Sequence, residues 1–248
     1  MKKLTILLAL VLSCSITVAQ TAEEIIDTYF ENTGGKEAWK NIDAVQMNAS
    51  VNSPQVGEIP LTIYNDKDGC TLVKMNIQGT EMVQVASDGE TAWRWNMQGQ
   101  MAEKMEAETF ENMKRANKEF PDPFLNYKEN GFTIEKLDNE TIEGTECFKI
   151  KITKQPMLVE GEEVENVEFY YFETENYVPI LVEAEIKQGQ AKGMISQRFY
   201  SDYQEVDGIY FPFSMTQGVK GQPGQPMTIK SYDINPDFDK SVLAFPEQ

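Results

Sequence analysis

The chain has 248 residues and 41% hydrophobic content, enough for one sizeable core. Acidic residues outnumber basic ones by 40 to 22, a net charge of −18; such a surface repels phosphate, which excludes nucleic acid as a partner and an anionic membrane surface as a permanent seat. Histidine is absent, which excludes Ser-His-Asp and Cys-His catalysis, a histidine base and a histidine metal ligand, and no metal or other cofactor is expected.

The first nineteen residues read as a secretory leader. Lys2 and Lys3 form a positive start, Leu4 to Leu12 an apolar run, and Thr17-Val18-Ala19 a small-residue cleavage site before Gln20. The run is too short to span a bilayer, which needs about 20 residues. Cleavage after Ala19 predicts an exported chain of residues 20–248 as a single domain. The alternative is a weak lipobox, Val11-Leu12-Ser13-Cys14, which would leave the protein lipid-anchored at Cys14. Without Lys2 and Lys3, 20 basic residues face 40 acidic ones, which favours a freely diffusing protein.

The segment after the leader predicts a helix. Thr21 is a fair N-cap, Glu23 and Glu24 suit the first turn, and Ile25, Ile26, Tyr29 and Phe30 recur at helical spacing. Gly34-Gly35 stops it, and a short helical turn, Lys36 to Lys40, carries Trp39. From Ile42 the apolar period changes to two. Segments 42–52, 58–66, 70–78, 80–87 and 91–97 read as strands separated by turn residues such as Asp66-Lys67-Asp68-Gly69 and Asp88-Gly89. Residues 106–119 are polar and helix-favouring, with Phe110 and Met113 on a thin apolar stripe, and Pro121 and Pro123 end them. Strand-like runs resume at 132–138, 145–154, 165–173, 178–188, 193–205, 209–218 and 226–234. So many consecutive antiparallel strands must curl or close to protect their edges, with helices covering the concave face.

No catalytic motif emerges. Glu162-Glu163-Val164-Glu165 beside Gly161 reads as a solvated charge run, and Asp66 with Asp68 lacks the rest of a calcium loop. Cys70 and Cys147, the only cysteines after the leader, are either one disulfide or two buried small hydrophobes. The unusual feature is a soft apolar inventory of 12 Met, 13 Phe, 10 Tyr and 3 Trp. Methionine is unbranched and polarisable and suits an adaptable surface, so these side chains form either an ordinary filled core or a cavity for flexible acyl chains.

Several stretches resemble one family. These are TAEEIIDTYFENTGGKEAWKNIDAVQMNAS (21–50), DGETAWRWN (88–96), DPFLNYKENGFTIEKLDNETIEGTECFKIKI (122–152), YQEVDGIYFPFSM (203–215) and INPDFDKSVLAFP (234–246). Together they are similar to the outer-membrane lipoprotein-sorting (LolA-like) proteins of Gram-negative bacteria. The resemblance implies an unclosed antiparallel β-barrel of about eleven strands, a mainly β fold with helices over the concave face. It further implies a non-enzymatic, monomeric carrier that shields acyl chains of lipoproteins or another lipid, with envelope membrane proteins as partners. The shielding is physically needed, since each CH₂ left in water costs about 0.8 kcal/mol. Of the arginines, only Arg94, Arg115 and Arg198, none stands in a motif equivalent to the pocket arginine of the family's carriers.

The residues expected to line the cavity are Met75, Ile77, Val83, Trp93, Trp95, Met97, Phe110, Met113, Phe169 and Tyr171. Two other functions compete with the carrier: a structural or interaction protein of the envelope with a filled core, and a hydrolase working through two carboxylates in a cleft.

Overall fold

The computed structural model describes residues 20–246. The leader, with its alternatives at Cys14 and Ala19, lies outside the described residues.

Helix α1 (Ala22–Asn32) begins as its sequence dictates. The Thr21 hydroxyl accepts the Glu24 N–H at 3.2 Å and the Glu24 carboxylate accepts the Thr21 N–H at 2.8 Å, a reciprocal capping box. Ile25, Ile26, Tyr29 and Phe30 form its buried stripe. Gly34 follows with φ +116°, and a Cβ there would stand 2.3 Å from the Gly208 carbonyl oxygen. Only glycine permits that approach, so the helix end rests on a distant strand turn, where the Tyr210 N–H donates to the Thr33 carbonyl at 3.2 Å. Helix α2 (Lys36–Lys40) then turns Trp39 inward, and its indole N–H donates to the Thr33 carbonyl and hydroxyl at 3.2 and 3.1 Å.

The chain next runs through six strands: β1 (Ala44–Ser53), β2 (Gly57–Asp66), β3 (Cys70–Ile77), β4 (Thr80–Asp88), β5 (Ala92–Asn96) and β6 (Met101–Lys104). Helix α3 (Ala107–Ala116) interrupts them. Seven more follow: β7 (Thr133–Ile142), β8 (Thr145–Val159), β9 (Glu162–Glu173), β10 (Pro179–Glu185), β11 (Ile195–Val206), β12 (Ile209–Val219) and β13 (Gln225–Ile234). All pair antiparallel in one sheet of order β6-β5-β4-β3-β2-β1-β13-β12-β11-β10-β9-β8-β7. The first and last strands meet in its middle, and the two free edges, β6 and β7, are neighbours in sequence. The result is an unclosed half-barrel with helices, the expected architecture. It has thirteen strands where about eleven were expected. The strand absent from the period-two pattern is β6, whose four residues are too few to show a period and sit between Met97 and the helical segment.

Helix α3, in the link between those edges, bridges β8 and the β2–β3 turn. On one side the Asn112 side chain exchanges two hydrogen bonds of 2.7 Å with the Leu158 backbone, and Arg115 donates to the Pro156 carbonyl at 2.6 Å. Just beyond its other end, Asn117 donates to the Lys67 carbonyl at 3.1 Å.

The two faces of the sheet carry separate clusters. The inner face packs Ile25, Phe30 and Trp39 against Ile150, Ile152, Phe172 and Phe211, each such side chain contributing about 1.5–3 kcal/mol. On the outer face the C-terminal segment covers β1 to β6. Phe238 stacks on Tyr64 with centroids 3.7 Å apart, Trp93 donates to the Leu243 carbonyl at 2.8 Å, and Lys240 pairs with Asp66 at 2.9 Å. Cys70 belongs to that cluster and Cys147 to a second one with Tyr171 and Leu181. Both cysteines are free and buried, so of the two readings the small hydrophobes hold.

Candidate functional site

A cavity of about 800 Å³ opens on the inner face between α1, α3 and strands β8 to β12. Alternation along the strands selects its wall. On β9 the even-numbered Asn166, Glu168 and Tyr170 face it, on β8 Lys154, and on β11 Arg198 and Tyr200. Tyr29 and Trp39 enter from the helices, while Met105, Met113, Arg115 and Glu119 come from the link between β6 and β7 and Met157 from β8.

The wall is more polar than an apolar container requires. Lys154, with a side chain only 5% exposed, lies between Glu119 at 2.7 Å and Glu168 at 3.1 Å. Arg198 donates to the other oxygen of Glu168 at 3.0 Å, and the Tyr170 hydroxyl donates to Glu168 at 3.0 Å. Burial pushes the Glu168 carboxyl up, but Lys154 and Arg198 outweigh it and hold the group below its usual range. For Glu119 burial wins over Lys154 and the carboxyl is raised. Asp122 accepts from the Phe124 N–H at 2.8 Å and the Tyr29 hydroxyl at 2.9 Å. No cation pairs with it among the described residues, and burial pushes its carboxyl up to about 6.

Next to this polar pocket the inner face turns apolar. Val45 packs against the helices, and alternation puts Met47 and Val51 on the same face. Across the register stand Leu61 and Ile63 on β2, Val73 and Met75 on β3, and Met82 and Val85 on β4. All nine are only half-buried. On the other side Met227 of β13 opposes both Val51 and Met215, and Met215 opposes Tyr200 of the cavity wall, so the apolar face adjoins the pocket.

The ten residues expected from sequence are scattered over this frame. Met113 lines the 800 Å³ cavity, and with Phe110 it also lines a hollow of about 200 Å³ between α3 and the β2–β3 turn. Met75 lies on the apolar inner face, as does Ile77 by alternation. Val83 joins the outer cluster because a bulge between Val73 and Lys74 shifts the β3–β4 register, and Trp95, partly buried, and Trp93, fully buried, lie on the same cluster beneath the C-terminal segment, Trp93 opposite Ala86. Met97 is 61% exposed in the β5–β6 turn. Phe169 and Tyr171 fall on the outer face, one residue out of step with the cavity-facing Glu168 and Tyr170. The pattern of β9, apolar at 167, 169 and 171, therefore points to the wrong side. The polar wall residues Lys154, Glu168 and Arg198 carried no sequence signal beyond being charged residues inside strand-like runs. Two of the three arginines, Arg115 and Arg198, line the cavity although no motif marks them. The acidic run at 162–165 is exposed in β9, as expected of a solvated face, with Glu163 paired to Arg115 at 2.9 Å.

An unclosed half-barrel bridged by a helix and hollow on the helix side defines the class of fold. Two solved structures share it across most of their length. A LolA superfamily protein, NE2245 from Nitrosomonas europaea, aligns with TM-score 0.55 and 14% identity over 91% of this chain and 98% of that one. A DUF1329 family protein from Desulfovibrio piger aligns with TM-score 0.55 and 12% identity over the same shares. The chain thus has a LolA-like fold, in agreement with the resemblance read from its motifs. No family model and no curated protein sequence matches it.

Proposed function

We propose that this protein is an exported, non-enzymatic carrier that shields the acyl chains of a lipoprotein or another lipid on the inner face of its half-barrel. One observation carries the reading: an 800 Å³ cavity adjoining a half-buried apolar face of valine, leucine, isoleucine and methionine. A domain that only needed a core would cover that face fully, because nine large apolar side chains that are only half-buried forgo about 25 cal/mol for each Å² left in water. The open volume favours a carrier over a structural protein with a filled interior. The likeness to a LolA superfamily protein supports the same reading. The chains would lie across Met47, Met75, Ile77 and Met82, with Met113 and Phe110 on α3 above them. Cleavage after Ala19 would release the protein into the periplasm as a monomer, and envelope membrane proteins would load and unload it.

One observation speaks for the hydrolase alternative. Glu119 and Glu168 share the cavity wall, and their carboxyls are shifted in opposite directions, as in an acid–base pair. Lys154 occupies the space between them, where a substrate bond or water would have to sit. That arrangement favours a structural ion triad.

The test is native mass spectrometry of protein purified without detergent, followed by lipid extraction and by uptake of a fluorescent fatty acid. Co-purified or captured lipid, lost when Met75 and Met82 are both changed to Asp, is the expected result. A protein that carries and captures no acyl chain refutes the proposal, and turnover of aryl glycosides or esters that depends on Glu119 would establish the hydrolase instead.

A further inference from the structure

The cavity wall has a chemical bias that acyl shielding does not explain. Three carboxylates and three cations line it, but the cations are already engaged. Arg115 is neutralised by Glu111 and Glu163, which lie outside the wall. Lys154 is held between Glu119 and Glu168, and Arg198 is held on Glu168. Asp122 is left without a cation, fixed by two neutral donors. The wall around it is aromatic. Tyr29 bonds Asp122 directly, and Tyr170, Tyr200 and Tyr203 line the same cavity from β9 and β11. Glu119 adds negative charge on the same side. A second, independent observation is Gln155, also in the wall, whose Oε1 is buried and meets no donor. An anionic head would face Asp122, and each cation of the wall is already in an ion pair. A cation would find a carboxylate, an aromatic cage and a vacant acceptor, the combination that recognises alkylammonium groups.

We propose that the cavity binds a cationic amine, the head group of an amphiphile whose chain lies on the adjoining apolar face. The chain half of this statement rests on the carrier reading, whereas the amine half stands on the cage alone. Asp122 is the counter-ion, Tyr29, Tyr170, Tyr200 and Tyr203 form the cage, and burial keeps the site dry enough for both contacts to count.

Calorimetry on the full mature chain tests it, with dodecyltrimethylammonium, dodecanoate and 1-dodecanol as probes below their aggregation limits and tetramethylammonium as a head without a chain. About 0.15 M salt screens the long-range pull of the acidic surface on any cation. The ammonium amphiphile should bind at least about ten-fold more tightly than the other two chains, which corresponds to a desolvated cation–π contact. Asp122→Asn should abolish that preference, and circular dichroism checks that the variant folds. Tyr200→Leu should weaken ammonium binding about five-fold and Tyr200→Phe should not, because the ring face and not the hydroxyl holds the cation. Equal binding of all three chains would overturn this proposal and leave the carrier intact. Saturable tetramethylammonium binding that needs Asp122, with no chain bound, would support the cage and defeat the carrier. A preference for dodecanoate would overturn the cage outright.

Discussion

The inner face of β1 to β4 and that of β8 to β12 belong to one sheet and have opposite chemistry. The first is aliphatic and methionine-rich, makes no side-chain ion pair on that face among the described residues, and leaves its side chains only half-buried. The second is packed under α1 at one end and opens at the other into the cavity walled by Lys154, Glu119, Glu168, Arg198 and tyrosines. The difference teaches what each half can do. Apolar burial has no direction, so the first half accepts chains of any register and favours adaptability. Charged hydrogen bonds are directional, so the second half holds its shape and can discriminate among head groups. The half-barrel therefore combines a permissive surface and a selective one on the same concave side.

The sharpest way to break this contrast is at the packed end. Phe172, fully buried beneath Tyr29 and Phe124, should cost about 3–5 kcal/mol as Phe172→Ala in urea unfolding, whereas Met75→Ala on the open half should cost about 1 kcal/mol or less. Similar losses at both sites would mean that the open half is as structural as the packed one.

Lys154→Met strands Glu119 and leaves Glu168 to Arg198 alone, and it should also cost about 3–5 kcal/mol at pH 7. Protonating the carboxylates relieves the stranded charge, so the deficit should shrink as pH falls toward 4. A deficit independent of pH would show that the triad contributes packing and not charge.

The effect at Asp122 is smaller and opposite in sign. Its folded carboxyl titrates near 6 against an ordinary 3.8, so between those values the folded state holds a proton that the unfolded chain has lost. Stability from this group is therefore greatest at acid pH and falls as pH rises toward 6. Asp122→Asn should remove that slope and leave the protein at pH 7 as stable as the parent or about 1 kcal/mol more so. A variant that retains the slope would assign it to another group, Glu119 being the next candidate.

The smallest expected change concerns the thiols. Cys70 and Cys147 sit in different clusters, and burial raises both thiols, Cys147 to about 11. An oxidant should leave the melting temperature unaltered, and a thiol reagent should label both residues only after unfolding. A band shift on a non-reducing gel would contradict this.

Much of the frame was legible because it rests on local chemistry. Thr21 and Glu24 announce a capped helix, Gly34-Gly35 its end, and the period-two runs with their turn residues announce antiparallel strands. The candidate site was far less legible. Phe169 and Tyr171 look like cavity residues in sequence, yet the face that reaches the cavity belongs to Glu168 and Tyr170. Trp93 and Trp95 look like a lipid contact and instead take the C-terminal segment, with Trp93 bonded to the Leu243 carbonyl. Alternation tells which residues share a face and is silent on which face is inside.

By itself the sequence determined the mainly β fold, the helices that cover it, the acidic surface and the absence of histidine chemistry, because each follows from composition or from spacing between near neighbours. Only the tertiary structure decided that β1 and β13 join in the middle of the sheet, that α3 bridges β8 and the β2–β3 turn, and that Lys154, Glu119, Glu168, Arg198 and Asp122 share one cavity. Those relations depend on long-range register, and a shift of one residue in any strand sends its charges to the opposite face.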